Sequence, residues 1–73
     1  MNGLASVTGV VKWNSNKGDY GFIVPDGEDE RQIFVHISDA PEGIETIARG
    51  QRYRFSIKTS EKGLRASNIF SAA

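Results

Sequence analysis

The chain has 73 residues, no cysteine and a formal net charge of zero, with nine basic and nine acidic side chains. A chain of this length folds as one domain with a small core. Without cysteine it has neither a disulfide framework nor a thiolate metal site, and its single histidine cannot build a zinc site. We therefore expect one domain over residues 1–73, with its core at about 7–70, that folds by packing alone and uses no metal or cofactor.

Charge and hydropathy also limit the class of protein. The first six residues carry no basic cluster and no apolar run, and no later segment approaches the roughly 20 apolar residues of a membrane span. These features predict a soluble cytoplasmic protein whose domain does not contact the membrane. Residues 19–45 hold eight acidic side chains against one arginine, whereas residues 46–73 hold six basic side chains against one glutamate. By itself this pattern is typical of a solvated surface of varying sign.

Turn signals divide the chain into short runs rich in β-branched and aromatic residues. These runs predict five strands, at about 7–14, 20–25, 32–38, 51–59 and 64–70, and no segment has a convincing helical pattern. Five short strands indicate an all-β protein that forms a small closed or nearly closed barrel, because closure removes the unpaired edges of an open sheet.

The second strand, "YGFIVP", leaves open which of its faces is buried. Tyr20, Phe22 and Val24 lie on one face, and Gly21 and Ile23 lie on the other. Two physical reasons favour the rings facing outward. An inward glycine is typical of a sharp bend in a small barrel, and two further rings inside would overpack the core at a cost of about 1–3 kcal/mol.

The third and fourth strands show a clearer alternation. In the fourth strand, Tyr53, Phe55 and Ile57 alternate with polar and charged residues, so the apolar set faces the core. In the third strand, burial of the aliphatic face places Phe34 and His36 outside. The predicted core comprises Val11, Ile23, Ile33, Val35, Ile47, Tyr53, Phe55, Ile57 and Ile69.

These orientations place flat rings together on one outer surface, on two neighbouring strands and at the end of the first. An exposed apolar patch of this kind is typical of a binding site. Unpaired bases offer a π face, and each base–aromatic stack is worth about 1–3 kcal/mol with little regard to sequence. The surface therefore predicts binding of single-stranded nucleic acid.

Two motifs in this surface resemble the RNA-binding signatures of the cold-shock domain family. The stretch "KGDYGFI" is similar to the first signature, and "IFVHIS" is similar to the second. The resemblance runs from about Val7 to Ile69 and includes "GVVKW" in the first strand. It implies a five-stranded antiparallel OB-fold barrel that binds single-stranded RNA and DNA and loosens RNA secondary structure without ATP.

The sequence also departs from the family pattern. Asn14 stands where a phenylalanine is usual, which removes one stacking ring, and the inserted Asp19 is expected to repel phosphate. Ile37 and Ile44 replace usual aromatic residues, and Leu64 replaces a usual proline. We therefore expect weaker binding than is normal for the family. The "WN" pair with a short loop at 39–46 resembles a subgroup of cold-shock domains that are fused ahead of small membrane domains.

Combining the residues with the resemblance gives a predicted contact set for single-stranded RNA and DNA. The rings stack bases, the histidine contacts a base, and the cations follow the phosphate backbone; the set is Lys12, Trp13, Lys17, Tyr20, Phe22, Phe34, His36, Lys62 and Arg65. Each residue also has a purely structural interpretation, such as a half-buried plug for Trp13 or a solvated charge for any single cation. We expect a monomer that tolerates pyrimidine-rich strands.

Two other functions compete with nucleic-acid binding. Small β-barrels with exposed rings also dock proline-rich peptides, which makes a protein-interaction module the main alternative. An enzyme is not expected, because the single histidine faces no obvious serine nucleophile and the carboxylates at 26–30 crowd a turn.

Overall fold

The computed structural model describes residues 6–28, 30–61 and 63–72. Its strands are β1 (Val7–Asn14), β2 (Tyr20–Pro25), β3 (Ile33–His36), β4 (Arg52–Ser60) and β5 (Gly63–Ser71), with a 3₁₀ turn at Ile37–Asp39. The prediction of five strands is confirmed, and β1 and β2 have the predicted bounds. The predicted bounds of β4 and β5 differ from the observed ones by one residue.

The third strand is shorter than predicted because the chain turns directly after His36. Nδ1 of His36 accepts a hydrogen bond from the backbone N–H of Ser38 at 3.0 Å. The N–H of Ala40 then donates to the carbonyl oxygen of Ile37 at 3.0 Å. The side chain of His36 thus caps the turn and ends the extended backbone.

The strands close into a barrel in the order β1-β2-β3-β5-β4, and β4 pairs back with β1. The prediction of an antiparallel barrel holds for every neighbouring pair except β3 and β5, which run parallel through Phe34 and Arg65. Closure explains the exception. Strand directions cannot alternate all the way around a ring with an odd number of strands, so one pair must be parallel.

The core follows the predicted alternation closely. All the predicted core residues are buried except Ile57, which is half-buried against the core, and Ala66 joins them. Val24 was predicted to face outward but is only 7% exposed, opposite Val10 of β1.

The buried ring of Tyr53 carries a polar group into the core. Burial raises the pKa of Tyr53, and the Tyr53 hydroxyl donates to Oε1 of Gln51 at 2.7 Å.

A β-bulge in β1 decides where Trp13 points. Val11 pairs with Ile23, but two residues later Trp13 pairs with Phe22, so β1 contains one extra residue at Lys12. Simple alternation from the buried Val11 would turn Trp13 into the core. Because the bulge shifts the alternation by one residue, Trp13 lies on the outer surface beside Phe22.

Gly21 is required because β1 approaches β2 very closely after this bulge. A Cβ atom at position 21 would collide with the carbonyl oxygen of Trp13 and lie 3.1 Å from Cγ2 of Ile47. The inward orientation predicted for Gly21 is confirmed. The absence of a side chain lets the two strands pair tightly while Tyr20 and Phe22 point outward.

We expect Gly21→Ala to lower the free energy of unfolding by about 1–3 kcal/mol, because the added methyl group meets rigid backbone. Urea titration followed by circular dichroism measures this change. Gly27→Asn is the matched control: position 27 has open space around it and a φ of 82°, which asparagine tolerates. The control should lose less stability than Gly21→Ala, because its new side chain meets only the cost of the left-handed backbone and no close contact. Equal losses in both variants would contradict the close approach.

Candidate nucleic-acid interface

Five rings form a continuous surface across β1, β2 and β3. We call it the aromatic surface; it consists of Trp13, Tyr20, Phe22, Phe34 and His36. Neighbouring ring centroids are 5.6 to 6.4 Å apart. The strand register produces this grouping, because Tyr20 pairs with His36 and Phe22 pairs with Phe34.

The rings of the aromatic surface are available to a ligand to different degrees. Trp13 is 48% exposed and Tyr20 is 36% exposed, whereas Phe22, Phe34 and His36 are half-buried. The predicted outward orientation of these rings is confirmed. The half-buried rings are held in place by their neighbours, so little side-chain freedom remains to be lost when a ligand stacks on them.

The hydrogen bonds of His36 determine its neutral tautomer. Because Nδ1 accepts the N–H of Ser38, it carries no proton in the neutral ring, and the proton resides on Nε2. Oγ of Ser38 also lies 2.9 Å from Nδ1. These contacts leave Nε2–H as the hydrogen-bond donor for a ligand on this ring.

Recesses flank the aromatic surface on both sides. The first, of about 300 Å³, is lined by Lys12, Trp13, Phe22 and Gln32. The second, of about 380 Å³, is lined by Phe34, His36, Ser60, Glu61 and Arg65. Gln32 was not among the predicted contacts; its position directly ahead of β3 is the only sequence signal that could have indicated it.

The charge of Arg65 is largely offset. Nε and Nη2 of Arg65 donate to Oδ2 of Asp39 at 2.9 and 2.7 Å. The guanidinium carbon lies over the Phe34 ring, 5.6 Å from its centroid. The structure therefore places Arg65 at the aromatic surface as predicted, but with a carboxylate partner that sequence spacing did not reveal.

Asp19 introduces a negative charge beside Tyr20 and His36. Oγ of Ser15 donates to Oδ1 of Asp19 at 2.6 Å, and this hydrogen bond is the main cause that lowers the pKa of Asp19 below its ordinary value. Electrostatic interaction with His36 and Lys17 lowers this pKa further. The carboxylate is thus ionised at neutral pH, next to the rings and next to the exposed Lys17.

Asn14 stands where the family usually has a phenylalanine, and in this structure its side chain has a structural role. Its Oδ1 accepts the backbone N–H of Arg49 at 3.0 Å, and its Nδ2 donates to the carbonyl of Ser15 at 2.8 Å. The side chain therefore ties the end of β1 to the loop that precedes β4.

Two further predicted cations remain. Lys12 is exposed beside Trp13, and Lys62 lies outside the described residues.

Comparison with known families decides the classification. The model of the 'Cold-shock' DNA-binding domain matches residues 7–72. The chain belongs to this family. Nucleic-acid binding is the function of the family's domain, and it agrees with an outward aromatic surface on a five-stranded barrel.

Individual relatives of this cold-shock domain cover most of its length. It is 41% identical over 66 residues to the cold shock-like protein CspG of Shewanella violacea, covering 88% of this chain and 91% of the relative. It is 36% identical over 67 residues to the cold shock-like protein CspE of Escherichia coli K12, covering 90% of this chain and 96% of the relative. Cold shock protein 1 of Lactiplantibacillus plantarum is 43% identical over 63 residues, covering 84% of this chain and 91% of that protein.

A solved structure supports the fold. The structure titled drosophila Unr CSD456 superposes with a TM-score of 0.75 at 18% identity, covering 97% of this chain and 28% of that one. The OB-fold barrel expected from the resemblance is confirmed. Within residues 6–28, 30–61 and 63–72 no helix of this cold-shock domain is long and apolar enough to span a membrane.

The lowered pKa of Asp19 predicts a pH-dependent contribution to stability. A carboxylate whose folded pKa is depressed stabilises the native state fully above its unfolded pKa, ordinarily 3.8, and loses this contribution as pH falls through the lower folded value. We expect wild type to exceed Asp19→Asn in stability near neutral pH and the difference to shrink below about pH 4. Urea unfolding between about pH 2 and pH 7 measures it.

The control for this prediction is Ser15→Ala, which removes the hydroxyl that donates to Asp19. In the Ser15→Ala background, replacement of Asp19 should have a smaller pH-dependent effect, because the main cause of the shift is gone. A stability difference that is the same at every pH, in both backgrounds, would contradict this assignment.

Proposed function

We propose that this cold-shock domain binds single-stranded RNA and DNA by stacking bases on the aromatic surface, and that it acts as an ATP-independent RNA chaperone. The main support is the continuity of the five rings, with centroids 5.6 to 6.4 Å apart across three strands. Stacked bases need flat partners at close, regular intervals, and each ring supplies one face.

Binding by stacking acts on RNA structure through population shift. The aromatic surface needs base faces that a duplex keeps occupied, so the domain binds open segments and not paired ones. A ligand-binding protein moves a conformational equilibrium toward the form that it binds. This cold-shock domain would therefore increase the population of open RNA without consuming ATP.

The magnitudes indicate moderate affinity. A dissociation constant of about 1 μM corresponds to about 8 kcal/mol. Three or four stacks near the upper end of about 1–3 kcal/mol each leave about this much after the cost of ordering a flexible strand is subtracted. Phosphate contacts contribute little, since Asp39 offsets Arg65 and the charge of Lys17 interacts with Asp19. Two or three phosphate contacts give a salt slope of only about −1.5 to −2.

The remaining expectations are part of the same proposal. Stacking is tolerant of sequence, which supports binding of pyrimidine-rich strands. We propose that residues 1–73 act as one monomeric cytoplasmic domain without catalytic activity or contact with the membrane. In the described structure, the single histidine is engaged by the turn that follows β3 through Ser38.

A titration of Trp13 emission with a pyrimidine-rich heptamer tests the proposed function. We expect saturable quenching, and a loss of about fivefold or more in affinity for Phe22→Leu or Phe34→Leu, because each removes one stacking face. Phe22→Tyr is the matched control, since it keeps a flat ring at the same position and should retain the affinity of wild type. Quenching by a proline-rich peptide but not by the heptamer would reject the proposal in favour of peptide docking.

Asp39→Asn tests the electrostatic part of the mechanism. Removal of the carboxylate frees the Arg65 guanidinium for phosphate, so we expect tighter binding of the heptamer at low salt and a salt slope steeper by about 0.7. Heptamer titrations between about 50 and 200 mM salt measure the slope. The double variant Asp39→Asn/Arg65→Ser should return to the shallow slope, and an unchanged slope in Asp39→Asn would contradict the role assigned to this ion pair.

A further inference from the structure

The large apolar side chain with the highest exposed fraction in the described structure lies outside the aromatic surface. Phe70 on β5 is 59% exposed, more than Trp13 at 48% or Tyr20 at 36%. Its orientation depends on a second β-bulge: Ser56 pairs with Ser67, but Arg54 pairs with Phe70, so β5 contains one extra residue. Asn68 occupies the bulge with a φ of 50°, a left-handed conformation.

This bulge has a specific effect on the pattern of β5. Alternation from the buried Ala66 would place Phe70 in the core, whereas the extra residue buries Ile69 and turns Phe70 outward. Asparagine is one of the few residues that tolerate the required backbone. The chain thus has an unusual local conformation whose result is an exposed ring.

Phe70 lies beside a cation on the neighbouring strand. Arg54 of β4 pairs directly with Phe70 on one side and with Thr8 of β1 on the other. Directly opposed side chains on adjacent strands have Cβ atoms about 4.5–5.5 Å apart. Arg54 is exposed and forms no ion pair with any residue that the structure describes. A groove of about 570 Å³ at this point is lined by Thr8, Arg52, Arg54, Phe70, Ser71 and Ala72.

Positive charge connects this ring to the aromatic surface. Arg65 lies over Phe34 and pairs with the exposed Lys58 on the neighbouring strand β4. Lys58 lies four residues after Arg54, on the outer side of the same strand. Neither β4 nor β5 contains an acidic residue. At the far edge, Arg52 is already engaged by Asp26 at 2.7 Å, which leaves Arg54 and Lys58 for an anionic ligand.

We propose that a single strand longer than the aromatic surface continues over Lys58 and Arg54 and stacks a base on Phe70. This inference rests on the proposed function and extends it to a second contact on the β4–β5 side of the barrel. The chemistry is the same at both ends, with a flat ring for a base and guanidinium or ammonium groups for the intervening phosphates. The alternating ring and cation fit a polyanion with stackable groups better than an apolar partner.

The experiment compares oligothymidines of about six and about sixteen nucleotides, which span the site sizes of OB folds. Binding to wild type, Arg54→Ser and Phe70→Leu is measured by Trp13 emission, with unchanged circular dichroism as the test of folding. We expect the variants to match wild type on the short strand and to bind the long strand about fivefold or more weakly. A long strand offers more binding registers than a short one. The dissociation constant of each variant is therefore divided by that of wild type for the same strand, so that the number of registers cancels.

Two control variants separate stacking from generic effects. Phe70→Tyr keeps a flat ring and should retain long-strand binding, whereas Phe70→Leu keeps only apolar character. Arg31→Ser removes the same charge as Arg54→Ser from the turn that precedes β3, where Arg31 pairs with Glu28. It should leave the dependence on length unchanged.

The outcomes distinguish this inference from the proposed function. Wild type that binds the short strand, with variants that match it at both lengths, would overturn the second contact and leave the aromatic surface intact. Loss of binding to a polyglutamate peptide in Arg54→Ser, with long-strand binding unchanged, would overturn it in favour of a protein partner. Wild type that binds neither strand would reject both.

Discussion

The fit of Gly21 against the carbonyl oxygen of Trp13 is the constraint on which the binding surface depends. The bulge at Lys12 brings β1 against β2 at the point where the alternation of β1 changes phase. A side chain at position 21 would push the strands apart and separate Trp13 from Tyr20 and Phe22, whose centroids lie 5.6 and 5.9 Å away. A glycine that weakens a strand locally is thus the condition for a surface built from three strands.

Strand alternation explains why much of the fold could be predicted from the sequence. In β4, charged residues flank Tyr53 and Phe55 so regularly that only one face can be buried, and the structure buries it. The orientations of Phe34 and His36 follow from the same period of two. The outward position of Trp13, although Trp13 was among the predicted contacts, does not follow from strand alternation, because the bulge reverses the face that alternation gives and has no clear signature in a single sequence.

Long-range pairing sets the other limit on sequence-based prediction. Arg65 and Asp39 are 26 positions apart, and their ion pair exists because the parallel β3–β5 pairing places the end of β3 next to β5. Neither the residue types nor their spacing in the sequence predicts this ion pair. The consequence for function is large, since a cation expected to attract phosphate has a carboxylate at 2.7 Å. The burial of Val24 could not be predicted for the same reason. Strand alternation places it on the outer face, but the neighbouring strand covers it.

The parallel pairing of β3 and β5 also makes one side of the barrel wall different from the rest. Among the residues that the structure describes, the register of β3 and β5 joins Phe34 to Arg65 alone, whereas β4 and β5 are paired along nearly their whole length. A closed sheet should open first where the fewest residue pairs join two strands. Amide hydrogens between β3 and β5 should therefore exchange with solvent before those between β4 and β5. A ligand that contacts Phe34 and Arg65 together would hold β3 and β5 to each other. Ligand binding would then slow hydrogen exchange between these strands.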